Sequence, residues 1–382
     1  MEDEIFMAKA LALARRGLGK TSPNPMVGAL VVKEGKILGK GYHRKYGGAH
    51  AEVHALKNAK GSARDATMYV TLEPCSHYGW TPPCVDAIVE AGIGQVVIGT
   101  PDPNPRVCGK GIQTLRERGI HVKVGILEAR CRELNEAYFK YIQTGIPFVT
   151  LKFAQSLDGR IATKSGNSQW ISSPDTLRLA HRLRAIHDAV LIGVGTALVD
   201  DPSLTVRLVR GENPQRIIVD SRLRMPLSAK VLNDDAVDRT FVVATEGANR
   251  KKAQEIRKLG AEILWGARNQ RGEVDIEDLL KQLGRMGIAS VLVEGGARII
   301  TSVLREGLAD KIVLVMAPKV IGQGVEAVRD LHIRQLGDAL RISRMKMKRL
   351  GNDIVIEGYI QARGAEDKPE MGATETSSGI QS

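Results

Sequence analysis

The residues of this chain best suited to chemistry are His50, Glu52, Cys75 and Cys84. One imidazole and two thiolates are three of the four ligands that tetrahedral zinc takes, and a fourth position left to water marks a catalytic rather than a structural site. Glu52 would not be a ligand. Zinc brings the pKa of bound water from about 15.7 towards 7, and a carboxylate beside it can take that proton and hand it to a leaving amine. The set therefore suits hydrolytic removal of an amino group from a ring carbon. A capping histidine and two inert buried thiols would explain each residue alone. They explain less well the ordered set of His50-Ala51-Glu52, Pro74-Cys75 and a second cysteine behind Pro82-Pro83. Cys108 and Cys131 have no such neighbours, and His43, His54 and His77 read as structural.

Hydrophobic periodicity and turn residues say which elements must hold these side chains. Helices are expected over residues 5–16, 51–59 and 84–91, a hairpin over 28–33 and 37–42, and strands over 67–72 and 95–99. A helix, strand and helix then follow to about residue 140. His50 and Glu52 fall at the start of one helix and Cys84 at the start of another, where the helix dipole lowers a thiol's pKa. Cys75 falls in the turn leaving a strand. This alternation predicts a three-layer α/β unit.

Thr144-Gly145-Ile146-Pro147 breaks the pattern and places a boundary near residue 146. A second α/β unit follows, with strands expected over 148–154, 189–193, 216–220, 240–244, 290–294 and 311–317. Helices are expected over 175–185, 250–259, 276–286 and 297–305, and a terminal hairpin over 344–350 and 354–360. The domains are thus 1–146 and 147–361, and the polar residues 362–382 are expected to be a disordered tail. The second unit has no G-x-G-x-x-G after a strand and no Walker sequence. It offers Glu294-Gly295-Gly296 between a strand and a helix, where free N–H groups can meet an anion such as a pyrophosphate. Gly193-Val194-Gly195-Thr196 is expected to form a second loop of this kind.

Composition narrows the classes. The 382 residues exceed one core, and no window is apolar enough to span a membrane. Four cysteines are too few for a disulfide framework, so a cytoplasmic protein is expected. The net charge of +12 divides evenly, +6 on each side of residue 146. A nucleic-acid binder would cluster its basic residues among stacking aromatics, and only 4% of residues are aromatic. The densest basic run, Arg341, Arg344, Lys346, Lys348 and Arg349, reads as the solvated face of a strand.

The runs Ser22-Pro23-Asn24-Pro25-Met26-Val27-Gly28, His50-Ala51-Glu52, and 71–77 through Thr81-Pro82-Pro83-Cys84 resemble the cytidine-deaminase superfamily. Eight residues separate the two cysteines here, against two in the general pattern. That spacing resembles the riboflavin-biosynthesis (RibD) family of bifunctional enzymes. The resemblance implies ligands His50, Cys75 and Cys84, proton shuttle Glu52, and Asn24 on the substrate pyrimidine. Trp80 stands where this family suggests a basic residue. The runs 152–162, 170–172, 195–207 and 294–296 are similar to the reductase half of the same family, a dihydrofolate-reductase-like domain using NADPH. The two likenesses cover residues 1 to about 360.

By position, that likeness implies cofactor contacts at Ala154, Trp170, Thr196, Asp200, Ser221, Gly296, Ala297, Arg298, Ile299, Ile300, Thr301 and Ser302. It implies substrate contacts at Ser168, Arg184, Leu204, Arg207 and Glu294. Arg184 and Arg207 are suited to clamping a phosphate, and Lys152 and Asp200 are candidates for polar assistance to hydride delivery. The resemblance also implies a homo-oligomer with a phosphorylated pyrimidine as substrate and no nucleic-acid or membrane partner. Two other readings, an RNA-binding deaminase and a deaminase with a dead second domain, are weighed down by the even charge and by the presence of Asp200, Arg207 and Glu294-Gly295-Gly296.

Overall fold

The computed structural model describes residues 2–79 and 82–361. Its first part runs α1 (Glu2–Ala14), β1 (Gly28–Lys33), β2 (Lys36–Tyr42), α2 (Ala51–Asn58), β3 (Thr67–Leu72), α3 (Cys84–Glu90), β4 (Gln95–Thr100), α4 (Lys110–Glu117), β5 (His121–Val124), α5 (Glu128–Leu134) and α6 (Glu136–Thr144). The strands form one sheet in the order β2-β1-β3-β4-β5, antiparallel through β3 and parallel beyond it. The inner strands are near-continuous apolar runs because helices cover both faces. Val31, Met68, Val70, Val96 and Ile98 meet Ala51, Ala55, Val85, Ile88 and Leu115 on one side. Leu30, Val32, Tyr69 and Val97 meet Phe6, Met7, Ala10, Leu11 and Cys131 on the other. Two glycines bring α2 onto its strand: a Cβ on Gly41 would lie 2.0 Å from the Ala51 carbonyl, and one on Gly39 2.1 Å from that of Ala55. Close backbone contact of this kind fixes the height of His50 and Glu52 above the sheet.

The second part runs β6 (Phe148–Ser156), β7 (Arg160–Thr163), α7 (Pro174–Ile186), β8 (Ala189–Gly193), α8 (Val194–Asp200), β9 (Gln215–Val219), β10 (Thr240–Ala244), α9 (Arg250–Lys258), β11 (Glu262–Trp265), α10 (Ile276–Arg285), β12 (Ser290–Val293), α11 (Ala297–Arg305), β13 (Lys311–Ala317), β14 (Gly324–Glu326), β15 (Ile342–Leu350) and β16 (Asp353–Ile360). Nine strands form a sheet in the order β11-β10-β9-β8-β12-β6-β13-β16-β15, with β7 and β14 paired separately. From β11 to β13 every pairing is parallel, so the carboxyl ends of β6, β8, β9 and β12 open on one edge. Ligands of open α/β sheets bind at such an edge.

The structure differs from the sequence expectation in several places. Residues 194–196 begin α8 instead of forming a loop, and the strand expected over 290–294 stops at Val293. β7 and β11, four residues each, escaped notice because they are too short to establish a period. The basic run, apart from Arg341 just before it, lies on β15 at the edge of the sheet, a solvated strand as expected, although Met345 and Met347 are exposed along with the charges. Lys346 pairs with Glu133 and Lys348 with Glu357. The two parts also meet along α6. Glu136 accepts from Lys311 at 2.8 Å and from the Tyr359 hydroxyl, and Lys140 pairs with Asp310 at 2.6 Å. The tail expected over 362–382 lies outside the described residues.

Candidate functional site

His50, Cys75 and Cys84 converge as their spacing suggested. Nδ1 of His50 lies 3.2 Å from Sγ of Cys84 and 3.5 Å from Sγ of Cys75, and all three ligand atoms lie within 4.8 Å of one another. A tetrahedral zinc with nitrogen near 2.05 Å and sulfur near 2.3 Å separates such atoms by about 3.6 Å, so the residues present fit the metal. Cys84 sits at the first position of α3 and its N–H donates to Sγ of Cys75 at 3.4 Å. Hydrogen bonding from the Cys84 thiol, against the effect of burial and aided by His50, holds the Cys75 thiol down at about 4. That suits a thiolate ligand.

Glu52, one residue into α2, is 3% exposed, and its Oε2 has no hydrogen-bond partner among the described residues. Burial pushes its carboxyl above the usual carboxylate range. An orphaned carboxylate oxygen is costly to bury, which fits an atom that trades a proton with a reacting group.

Asn24 reaches the same centre through His43. Its Nδ2 lies 3.4 Å from Nε2 of His43, whose Nδ1 donates to the Ala49 carbonyl at 3.2 Å and whose ring stands edge-on to that of His50. The side chain of Asn135 pins this loop, accepting from the N–H of Met26 at 2.7 Å and donating to its carbonyl at 2.9 Å. Neither His43 nor Asn135 was singled out from the sequence as part of the site, since both act across long sequence distances. Trp80 and Thr81 lie outside the described residues.

The second site is a cleft of about 1100 Å³ at the carboxyl ends of β6, β8, β9 and β12. Of the positions the sequence singled out, Lys152, Ala154, Ser168, Trp170, Arg184, Thr196, Asp200, Leu204, Arg207, Ser221, Glu294, Gly296, Ala297, Arg298, Ile299 and Ser302 line it. Ile300 and Thr301 do not. The turn of α11 that faces Arg298 and Ser302 to the cleft sends Ile300 into the core. Thr301 is spent on the Ala297 carbonyl at 2.6 Å and the Arg329 N–H at 2.9 Å.

Arg184 is already paired in this cleft. Its fork is occupied by Glu294, Nε to Oε1 at 2.7 Å and Nη2 to Oε2 at 2.8 Å, with Nη1 on the Thr205 carbonyl at 3.3 Å. Bidentate pairing ties it to Glu294 at the floor of the cleft. Arg207 is the exposed arginine of the two: its main-chain N–H donates to Nδ1 of His181 at 3.0 Å and its Nη1 to Oγ1 of Thr205 at 3.2 Å. His181, buried and lining the cleft, lies three residues before Arg184 on α7 and so shares its face. That spacing was the signal by which the sequence could have shown it. Ser168 donates to Asp200 at 2.9 Å.

Burial pushes the Glu294 carboxyl up, but Arg184 and then Lys152 outweigh it and hold it at about 2. The stabilisation from this pair is complete above the ordinary carboxylate value and fades as pH falls towards 2. Glu294→Gln leaves two buried cations facing each other. It is expected to cost about 3 kcal/mol at neutral pH, read from urea melts; an unchanged midpoint would show the pair to be idle. The Lys152 amine has no hydrogen bond or ion pair among the described residues. Burial lowers its pKa, with Glu294 opposing and Arg184 assisting.

Comparison with known proteins finds two family matches along the chain. Residues 1–100 match the cytidine and deoxycytidylate deaminase zinc-binding region, and residues 147–356 match the RibD C-terminal domain. The chain is 48% identical to the riboflavin biosynthesis protein RibD of Aquifex aeolicus over 355 residues, 93% of this chain and 97% of that one. It superposes on Acinetobacter baumannii RibD with a TM-score of 0.86 at 38% identity, covering 94% of this chain and 99% of that one. The Thermotoga maritima diaminohydroxyphosphoribosylaminopyrimidine deaminase/5-amino-6-(5-phosphoribosylamino)uracil reductase superposes with a TM-score of 0.80 at 35% identity, with the same coverage.

Proposed function

This chain belongs to the RibD family of riboflavin biosynthesis, and on that premise we propose which of its residues perform the family's two reactions. It is a bifunctional deaminase and reductase, with a cytidine-deaminase-like N-terminal domain and a dihydrofolate-reductase-like C-terminal one. We assign the first activity to residues 1–146 and the second to 147–361. The substrate is 2,5-diamino-6-ribosylamino-4(3H)-pyrimidinone 5′-phosphate, and the final product 5-amino-6-(5-phospho-D-ribitylamino)uracil. One observation carries the reading: three ligand atoms within 4.8 Å beside a buried carboxylate whose second oxygen is orphaned.

His50, Cys75 and Cys84 hold zinc in this reading. When bound, the metal supplies the acidity that makes water a nucleophile near neutral pH. Water adds to the ring carbon and ammonia leaves, and Glu52 moves the proton from the one to the other. Asn24 orients the pyrimidine. In the cleft, NADPH when bound would supply the hydride. The amino end of α11, from Gly296, and Thr196 in the first turn of α8 take its pyrophosphate. Arg207 takes the substrate phosphate, and the Arg184–Glu294 pair sets the floor on which Lys152 stands. As the bond between C1′ and the sugar ring oxygen opens, Lys152 supplies the proton that this oxygen takes up, C1′ being the atom that would take hydride from bound NADPH, and Asp200, held by Ser168, orients the polyol. A cytoplasmic homo-oligomer acting on this small phosphorylated pyrimidine, without nucleic acid or membrane, completes the reading. The even charge and the four unpaired cysteines support the cytoplasmic, nucleic-acid-free part of this reading, no described helix is long and apolar enough to cross a membrane, and the homo-oligomer rests on the family resemblance alone.

One assay tests the whole. Purified protein given the pyrimidine phosphate should release ammonia without NADPH and should oxidise NADPH once it is added. Ammonia release with no later NADPH oxidation would sink the reductase assignment. Full ammonia release after exhaustive removal of metal would sink the zinc assignment.

A further inference from the structure

We propose that Glu73 is a positioning residue for the metal centre, holding the Cys75 turn from behind without touching metal or substrate; this rests on the zinc reading above. Glu73 is 3% exposed and ends the strand-to-turn passage that delivers Pro74 and Cys75. Its carboxylate takes three main-chain N–H groups from a segment about thirty to forty residues away. Oε2 accepts from Asp102 at 3.2 Å and from Gly109 at 3.0 Å, and Oε1 from Ile112 at 3.2 Å. Gly109 caps α4 and Ile112 lies in its first turn, so Glu73 supplies from another strand the acceptor that a local N-cap would give. The helix dipole favours the negative charge there.

A second observation shows what this tie accomplishes. A Cβ on Gly111, in the same first turn of α4, would lie 2.1 Å from the Pro74 carbonyl and 3.2 Å from the Glu73 side chain. The turn of α4 therefore rests directly on the peptide that leads into Cys75. On its other side Cys75 is met by α3: its carbonyl accepts from the Val85 N–H at 3.2 Å and its sulfur from the Cys84 N–H at 3.4 Å. Cys75 is thus clasped between the amino ends of two helices. α3 grips it directly, and α4 grips it only through Glu73 and the glycine contact. With the carboxylate gone, three N–H groups, two of them buried, lose their partner and α4 loses its hold on the Pro74 peptide. One ligand is then free to drift while the other two stay placed. Partners behind a ligand commonly govern metal affinity by ten- to a hundredfold.

The full-length protein, Glu73→Ala, Glu73→Gln and Gly111→Ala are titrated with zinc against a chromophoric chelator. Near-UV circular dichroism and a thermal melt of each zinc-free variant report that the deaminase domain is folded, and NADPH oxidation on supplied deaminated substrate reports the same of the reductase domain. The expected result is at least a tenfold loss of zinc affinity in Glu73→Ala and Gly111→Ala, with reduction within twofold of the parent. Glu73→Gln keeps one oxygen for two of the three N–H groups, so it should lose less and should recover ammonia release at saturating zinc. A carboxylate that merely capped α4 would lower the melting temperature and leave zinc affinity within twofold in all three variants, and that outcome overturns the proposal. Failure of the parent protein to bind zinc would instead overturn the metal reading, and this inference with it.

Discussion

Glu52→Gln is expected to reduce ammonia release by roughly a hundred- to ten-thousandfold, the usual worth of a positioned general acid–base. Three features make this variant decisive. The amide keeps the shape of a side chain that is 3% exposed, so it opens no cavity. It removes a group whose charged form burial already disfavours, so the fold should be as stable as before. Glu52 also lies outside the set of ligand atoms that converge, so zinc content should stay at one per chain. Metal analysis and ammonia release are therefore expected to part company, with the metal retained and the reaction lost. NADPH-dependent reduction of supplied deaminated substrate should continue at the parent rate, because the cleft draws on none of the residues around His50. Loss of zinc together with activity would instead make Glu52 a ligand, and loss of reduction would show that the two sites do not act separately.

Much of both sites was legible in the sequence because their chemistry is packed into short runs. His50 and Glu52 flank the start of one helix and Cys84 opens another, so local propensity alone fixes most of the metal geometry. Long apolar runs such as β3, β8, β10 and β13 were equally plain, since each is bounded by turn residues. What stayed hidden depends on contacts between distant segments. The sequence showed Arg184 and Glu294 as two substrate contacts 110 residues apart, and only the fold shows that each is the other's partner. Glu73 and Asn135 act on main-chain atoms far from them in sequence. No periodicity records such a bond. Ile300 and Thr301 mark the reverse case, where a continuous run was taken whole although a helix can offer a ligand only one of its faces.

Lys152→Met is expected to lower NADPH oxidation by a hundredfold or more while leaving ammonia release untouched. The amine lies at the cleft's end of β6 with no partner among the described residues, and the groups that bear on it are Glu294, Arg184 and His181. Methionine fills nearly the same space, so the loss reports the amine and not a void. The proton leaves Lys152 only as the sugar oxygen gains charge, so kcat should fall while KM for the pyrimidine stays close to the parent's. The pH profile adds a sign. The donor is the protonated form, so reduction must decline as pH rises through the pKa of Lys152. Burial sets that pKa below the ordinary 10.5, so the decline should begin at lower pH than an exposed lysine would give. In Lys152→Met the residual rate should lose this alkaline limb. A parent profile flat to pH 10, or a variant within a few-fold of the parent, would move the proton to Asp200 or to water. The same burial makes a charged Lys152 costly to fold around, so the variant that loses the reaction should melt no lower than the parent, and most clearly so at acidic pH, where the amine is fully charged.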